Sequence, residues 1–426
     1  MYTAIIAIFL TGYIAITFEH TLKVNKAAIA VLTGVFCWSV YISVSPDHNH
    51  VISQLIEQSG SFSGILFFLM CAMTIVELID MHYGFEIITN RIRVTDKRQL
   101  LWIMGSLAFF LSAVLDNLTT TIAMISLLMK FALDKEERFL FIGIIIIAAN
   151  AGGAWSPIGD VTTTMLWIDG RITSSNVILK LFLPSLVCAV VPILLASLKI
   201  KGKLQKLAVN EDKLITHKIR RDRNIVFFFG IFMLLFVPVF KTITHLPPFM
   251  GMLLALGSLW LLTELLHAKK EESEKRIFSV AQALSNVDMQ SVLFFLGILI
   301  SISALEAAGI LGQMSTWLNN NIGNTTIIGL VIGLLSAVVD NVPLVAGSIG
   351  MYGLDQYAVD HHFWTFLSYC AGTGGSALII GSAAGVAAMG LAKMNFMWYL
   401  RRITPLALAG YFAGTAVYLF QMRIHL

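Results

Sequence analysis

Polar residues in this chain are gathered into short intervals between long apolar runs. Runs of spanning length, about 17 to 25 residues, cover 2–18, 27–44, 61–82, 176–198, 224–240, 249–267, 291–313 and 403–422. Two further stretches, 139–168 and 363–392, are long enough to cross but are broken by glycine, proline and hydroxyl residues. Two more, 99–129 and 325–350, are apolar except for a central Asp-Asn pair, and they predict re-entrant hairpins. The expected fold is an all-α polytopic membrane protein with ten spans and two hairpins.

Composition places the chain in the same solvent. Hydrophobic residues make up 57% and charged residues 13%, where soluble domains carry about 25% charged. The mean hydropathy is +0.81. The first apolar run has neither a basic flank nor a small-residue cleavage site, so it is expected to stay in the mature protein. Cys37, Cys71, Cys188 and Cys370 all fall in apolar segments without C-x-x-C spacing and read as packing residues.

Charge then gives an orientation. Segments 19–26, 86–99, 130–138, 199–223, 268–290 and 393–402 hold 25 of the 29 Lys and Arg residues. Threading the spans puts all six on one face, which the positive-inside rule makes the cytoplasm. Both termini are then expected outside, together with the 47–57 loop, the uncharged stretch 314–324 and the 355–362 loop. The net charge of +4 thus reflects loop topology and contact with anionic lipid, not a nucleic-acid partner.

The chain also repeats itself. Leu66-Phe67-Phe68-Leu69 recurs as Leu293-Phe294-Phe295-Leu296, and Ser112-Ala113-Val114-Leu115-Asp116-Asn117 recurs as Ser336-Ala337-Val338-Val339-Asp340-Asn341. Gly152, Gly153 and Gly159 recur as Gly374, Gly375 and Gly381. We expect two units, 1–198 and 224–426, joined by the basic linker 199–223. Each unit crosses the membrane five times, an odd number, so the second enters from the opposite side. Inverted repeats with interrupted helices are how many secondary transporters build a midplane ion site.

The interruptions carry the candidate chemistry. A charged side chain at bilayer depth costs about 2.5 to 3.5 kcal/mol even on insertion scales. Asp116, Asp160 and Asp340, with Asn117, Asn150, Asn341, Thr162, Thr163, Ser336, Ser376 and Ser382, form an all-oxygen set suited to a hard cation. Lys and Arg are absent from 111–129, 139–170, 331–350 and 370–390. Such a site attracts Na+, Li+ or H+ and repels carboxylates and phosphates. The plainer reading of each Asp is a helix N-cap, and of each hydroxyl a bond to a nearby carbonyl. Glu77, Asp80 and Glu306 are candidates for a proton path, and His20 is a candidate pH sensor.

Four phrases point to a family. Gly12–His20, Ala72–Asp80, Leu115–Thr121 and Asn150–Asp160 strongly resemble the NhaD-type sodium/proton antiporters of the ion transporter superfamily, and the resemblance covers essentially the whole chain. It implies a homodimer in the plasma membrane, the inner membrane of a bacterium, without a cofactor. A moving part with both hairpins and both broken helices would exchange Na+ for H+ past a scaffold. Na+ would sit at Asp116, Asn117, Asn150, Asp160 and Thr163. The second hairpin has Val342-Pro343-Leu344 where the first has Leu118-Thr119-Thr120, so the two tips are unequal in ligands.

Three rivals remain at this stage. Another cargo of the superfamily, a metalloid or an organic anion with Na+, is the nearest, and the lack of cationic residues in the motif segments argues against the anion. An intramembrane aspartyl protease also needs two Asp in separate spans, but in Gly-x-Gly-Asp and Tyr-Asp contexts that this chain lacks. A passive channel is separated from a transporter only by flux coupling.

Overall fold

The computed structural model describes residues 2–17, 19–89, 94–129, 131–206, 217–268 and 270–424. In chain order the helices are α1 (Tyr2–Thr17), α2 (Glu19–Leu22), α3 (Lys26–Val44), α4 (His48–Met81), α5 (Glu86–Thr89), α6 (Lys97–Ser112), α7 (Asn117–Leu128), α8 (Lys135–Ala154), α9 (Val161–Ile168), α10 (Ser174–Ser197) and α11 (His217–Thr244). They continue as α12 (Pro248–His267), α13 (Glu272–Ile277), α14 (Val280–Asn286), α15 (Met289–Ala307), α16 (Ile310–Asn321), α17 (Thr325–Leu335), α18 (Asn341–Met351), α19 (His362–Gly374), α20 (Ala383–Ala392), α21 (Phe396–Arg402) and α22 (Thr404–Ile424). The described strands are a two-residue antiparallel pair, β1 (Phe131–Ala132) with β2 (Gln205–Lys206). Of the basic linker, residues 207–216 lie outside the described residues, as does the side chain of His20.

Among the described residues seven helices are long and apolar enough to cross a membrane, and the bent pair α21–α22, kinked by 48°, makes an eighth. The protein is therefore a multi-pass membrane protein. Helices α7, α17, α18 and α20 are apolar but only 10 to 12 residues long, about half of what a full crossing needs. Each begins or ends at a break in the sequence motifs.

Local chemistry sets where the helices start. Asp47 accepts the backbone N–H of His50 at 3.0 Å and starts α4. Asp96 does the same for Arg98 at 2.8 Å, Asn25 for Ala27 at 2.8 Å, and Asp134 forms a capping box with Glu137. A short polar side chain at N-cap satisfies an otherwise orphaned N–H, which in a bilayer has no water to turn to.

Three expectations about element limits are corrected. The 47–57 segment is not a loop: capping by Asp47 carries α4 outward from His48, so Glu57 lies on a helix. The run 291–313 is not one span, because Gly309 takes φ 75° and separates α15 from α16. That left-handed turn is one glycine adopts without a steric cost. The stretch 314–324 is helical as far as Asn321, packed through Leu311 and Ser315, rather than an open loop.

Packing follows glycine and small residues. Helices α3 and α15 make the most extensive helix pair, with Gly297 set against the backbone of Ala30 and Val31 and Gly34 against Ile300. The pair α4–α12 matches it at the offset of the sequence phrases, and α6–α8 is matched by α17–α19 in the same way. Gly152 lies on the carbonyl of Phe109, and Gly374, 222 residues on, lies on that of Gly333. A side chain at either position would occupy the partner helix's backbone. Two apolar clusters result. One joins α1, α3 and α15 with parts of α4, α16 and α18; the larger holds α6–α12 with α17, α19 and α22.

Candidate functional site

Four helix ends converge at the centre of the larger body. Helix α8 stops at Ala154 and α9 restarts at Val161; α19 stops at Gly374 and α20 restarts at Ala383. Between α6 and α7, and between α17 and α18, the chain turns at residues 113–116 and 336–340. Helix N-termini carry partial positive charge and C-termini partial negative charge. The four breaks therefore gather both kinds of dipole end in one place.

Each motif aspartate sits at the start of a helix. Asp116 caps α7: its Oδ1 accepts the N–H of Thr119 at 2.8 Å and its Oδ2 the Thr119 hydroxyl at 2.9 Å. Asp160 caps α9, accepting the Thr162 hydroxyl at 2.8 Å and, more weakly, the Thr162 N–H at 3.4 Å. Asp340 caps α18 with a single long contact from the Val342 N–H, 3.4 Å. Asp160 is 2% exposed and lies within Coulombic range of both other carboxylates. A Cβ built on Gly372 would stand 2.9 Å from its Oδ2, so the second broken helix approaches this carboxylate closely because residue 372 is glycine.

A chain of neutral amides and hydroxyls ties the halves together. Asn117 Nδ2 donates to Asn150 Oδ1 at 3.0 Å; Asn150 Nδ2 donates to Ser376 Oγ at 2.9 Å and to Ser382 Oγ at 3.0 Å. Asn150 is fully buried. Thr163 shares a 2.7 Å hydroxyl contact with Ser368, again across the repeats. Ser336 donates to the carbonyl of Gly333 in its own hairpin and to that of Ala371 on α19. Asn341 is buried at the start of α18.

Of the residues singled out from sequence, Asn117, Asn150, Ser376 and Ser382 are joined in one network. Asp116, Asp160, Thr162 and Thr163 stand at the adjoining breaks, while Ser336, Asp340 and Asn341 belong to the second tip. Four further groups emerge from the structure. The hydroxyls of Ser112, Thr120 and Thr121 are buried without a hydrogen-bond partner, which is costly unless something fills the site. Thr119 is the main partner of Asp116. The Thr119-Thr120-Thr121 run beside Asp116 was the available signal, but threonine in an apolar helix ordinarily bonds its own backbone.

Two cavities bear on the candidate residues. One of 360 Å³ is lined by Glu77, Asp80, Glu86 and Asp288 together with Leu118 and Thr119. It puts four carboxylates on the same cavity as the residue that holds Asp116. Asn286 donates to Glu77 at 2.8 Å at its rim. Another, of 490 Å³, is lined by Gln58, Asp169, Arg171 and Glu306 between α4, α9, α15 and α18. Glu77 and Asp80 thus line one cavity and Glu306 a different one.

Thr119→Ala removes the hydroxyl contact to Asp116 and keeps the backbone N–H one. The expected result is a change of about three- to tenfold in the cation concentration for half-maximal transport, the size of one lost hydrogen bond to a charged group in part compensated by water. Cation titration of transport in reconstituted vesicles reads it.

A family model described as citrate transporter (CitMHS) matches residues 13–364. Sodium/proton antiporter 1 of Arabidopsis thaliana is 48% identical over 99% of this chain and 73% of its own length. Sodium/proton antiporter 2 of the same plant is 46% identical over 96% and 97%. The Na(+)/H(+) antiporter NhaD of Vibrio cholerae serotype O1 is 32% identical over 98% and 91%. The family match takes in the first three helix breaks, and the chain belongs to the citrate-transporter (CitMHS) family of membrane transporters, among the NhaD-type sodium/proton antiporters.

Proposed function

We propose that this protein exchanges Na+, and also Li+, for H+ across its membrane by competition of the two ions for Asp116 and Asp160. One observation carries the reading: two carboxylates stand at helix breaks beside buried amides and unpartnered hydroxyls, and among the described residues neither makes an ion pair. A pure capping role does not account for Asp116. Its φ of 103° and ψ of 160° fall in a region that is essentially glycine's and costs about 1 to 3 kcal/mol. Asp340 caps its helix at φ −47° without that cost.

The exchange needs no further chemistry. A carboxylate that holds either a proton or a Na+, but not both, carries them in opposite directions if the barrier is crossed only in the occupied state. Asn117, Asn150 and Thr163 would complete the oxygen shell around Na+. The matching helix pairs support two inverted repeats, 1–198 and 224–426, with α3, α4, α12 and α15 as scaffold and the four interrupted elements as the moving part. The basic loops suit a cytoplasmic face, the flanking bilayer and a homodimer of such protomers. The acidic cavity at Glu77 and Asp80 would then be the cytoplasmic approach to Asp116. Replacing both by their amides is expected to raise the Na+ concentration for half-maximal exchange about three- to tenfold, an effect that shrinks as choline chloride is added, because fields from exposed charge are screened.

The deciding experiment uses purified protein in proteoliposomes with a preset pH gradient. Addition of Na+ or Li+ should discharge the gradient, while K+ or citrate should not. Citrate uptake without any Na+-evoked proton movement would replace this reading with organic-anion transport, in keeping with the description of the family model.

A further inference from the structure

The two hairpin tips carry the same Asp-Asn pair but keep it electrically different. Asp116 is held by its own helix through the N–H and hydroxyl of Thr119, one contact to each oxygen. At the matching position, 224 residues on, stands Pro343. Proline is tolerated in the first helical turn but has neither N–H nor hydroxyl to offer. Asp340 is accordingly left with one 3.4 Å backbone contact. A cation from elsewhere in the fold meets it instead: Lys26 Nζ lies 3.9 Å from Asp340 Oδ2 and 4.5 Å from the centre of the Phe294 ring. Both side chains are mostly withdrawn from solvent, at 22% and 16% exposure, around a cavity of 50 Å³ that Tyr13 and Glu19 also line.

Lys26 opens α3, which packs on α15 in the smaller of the two apolar clusters. We propose that Lys26 is a tethered counter-ion that occupies Asp340 in place of a transported cation, so that exchange proceeds at the first-half carboxylates alone. The inference rests on the Na+/H+ reading above and deepens it by assigning the unequal roles of the two tips. A resident ammonium placed against a carboxylate satisfies its charge without needing solute Na+, and Pro343 leaves Asp340 dependent on such a partner. Phe294, with the negative face of its ring toward the ammonium, holds Lys26 in position.

The test compares wild type, Lys26→Gln, Asp340→Asn and the double variant in the same proteoliposome assay. Asp340→Asn is expected to retain exchange. Lys26→Gln should make the Na+ dependence steeper, with the Hill coefficient rising by about one as Na+ is now required at a second site. The double variant should return to the wild-type slope, since no carboxylate remains to be filled. Loss of exchange in Asp340→Asn, or a Lys26→Gln curve that superimposes on wild type, overturns the proposal. If wild type itself shows no Na+-evoked proton flux, the cargo reading fails and the pair is judged by thermal unfolding of the four proteins. A double variant no less stable than the weaker single one supports the pairing, and fully additive losses refute it.

Discussion

Asp160→Asn and Asp116→Asn are each expected to lower Na+-evoked proton flux by more than about 100-fold, equivalent to roughly 2.7 kcal/mol of lost transport competence. Neither substitution should unfold the protein. Asn and Asp are near equals as N-caps, so the amide can still accept the Thr162 or Thr119 N–H that starts the following helix. What an amide cannot do is take up and release a proton or offer a full negative charge to Na+. Flux in proteoliposomes and the thermal unfolding midpoint in detergent, measured on the same preparations, separate the two roles. A large fall in midpoint with flux reduced only in proportion to folded protein would mean that the carboxylates are caps and nothing more.

The second large effect is expected at Asn150, and it falls on stability as well as transport. Its side chain accepts from Asn117 and donates to both Ser376 and Ser382, so Asn150→Ala strips the Asn117 amide and the Ser376 hydroxyl of a partner, while Ser382 keeps the N–H of Gly385. Each stranded buried group costs about 1 to 3 kcal/mol, and partial rearrangement brings the sum to roughly 2 to 5 kcal/mol. The unfolding midpoint should drop by many degrees. Exchange should be lost in the remaining folded fraction, because the first hairpin is no longer fastened to the second broken helix. A midpoint within a degree of wild type would show that the network is not under load. In that case water replaces the amide without cost.

Much of this architecture was legible in the chain. The Asp-Asn phrases, the glycine clusters and their common spacing marked the helix breaks before any coordinates, since a buried charge and a helix-interrupting glycine or proline are both expensive in lipid. Helix limits were less legible where a polar cap extends a helix beyond its apolar run, as Asp47 does for α4. They were also obscured where one glycine ends a helix inside an apolar run, as Gly309 does after α15.

The site divided in the same way. Asp116, Asp160 and Asn150 announced themselves because polar groups in apolar segments are rare. Thr119 did not, because a threonine's partner depends on which way the next turn faces.

The inequality of the two tips was legible at Pro343, but the cation that meets the second was not. The motif segments contain no Lys or Arg. Yet Lys26, more than 300 residues before Asp340, arrives on a helix distant in sequence. Sequence alone determined which residues resist burial and where the helices must break, because those costs are local. Only the tertiary structure decided which carboxylate gains a cation, which hydroxyls lose their partners and which cavity reaches the site. Those outcomes depend on distances between segments that no local preference fixes.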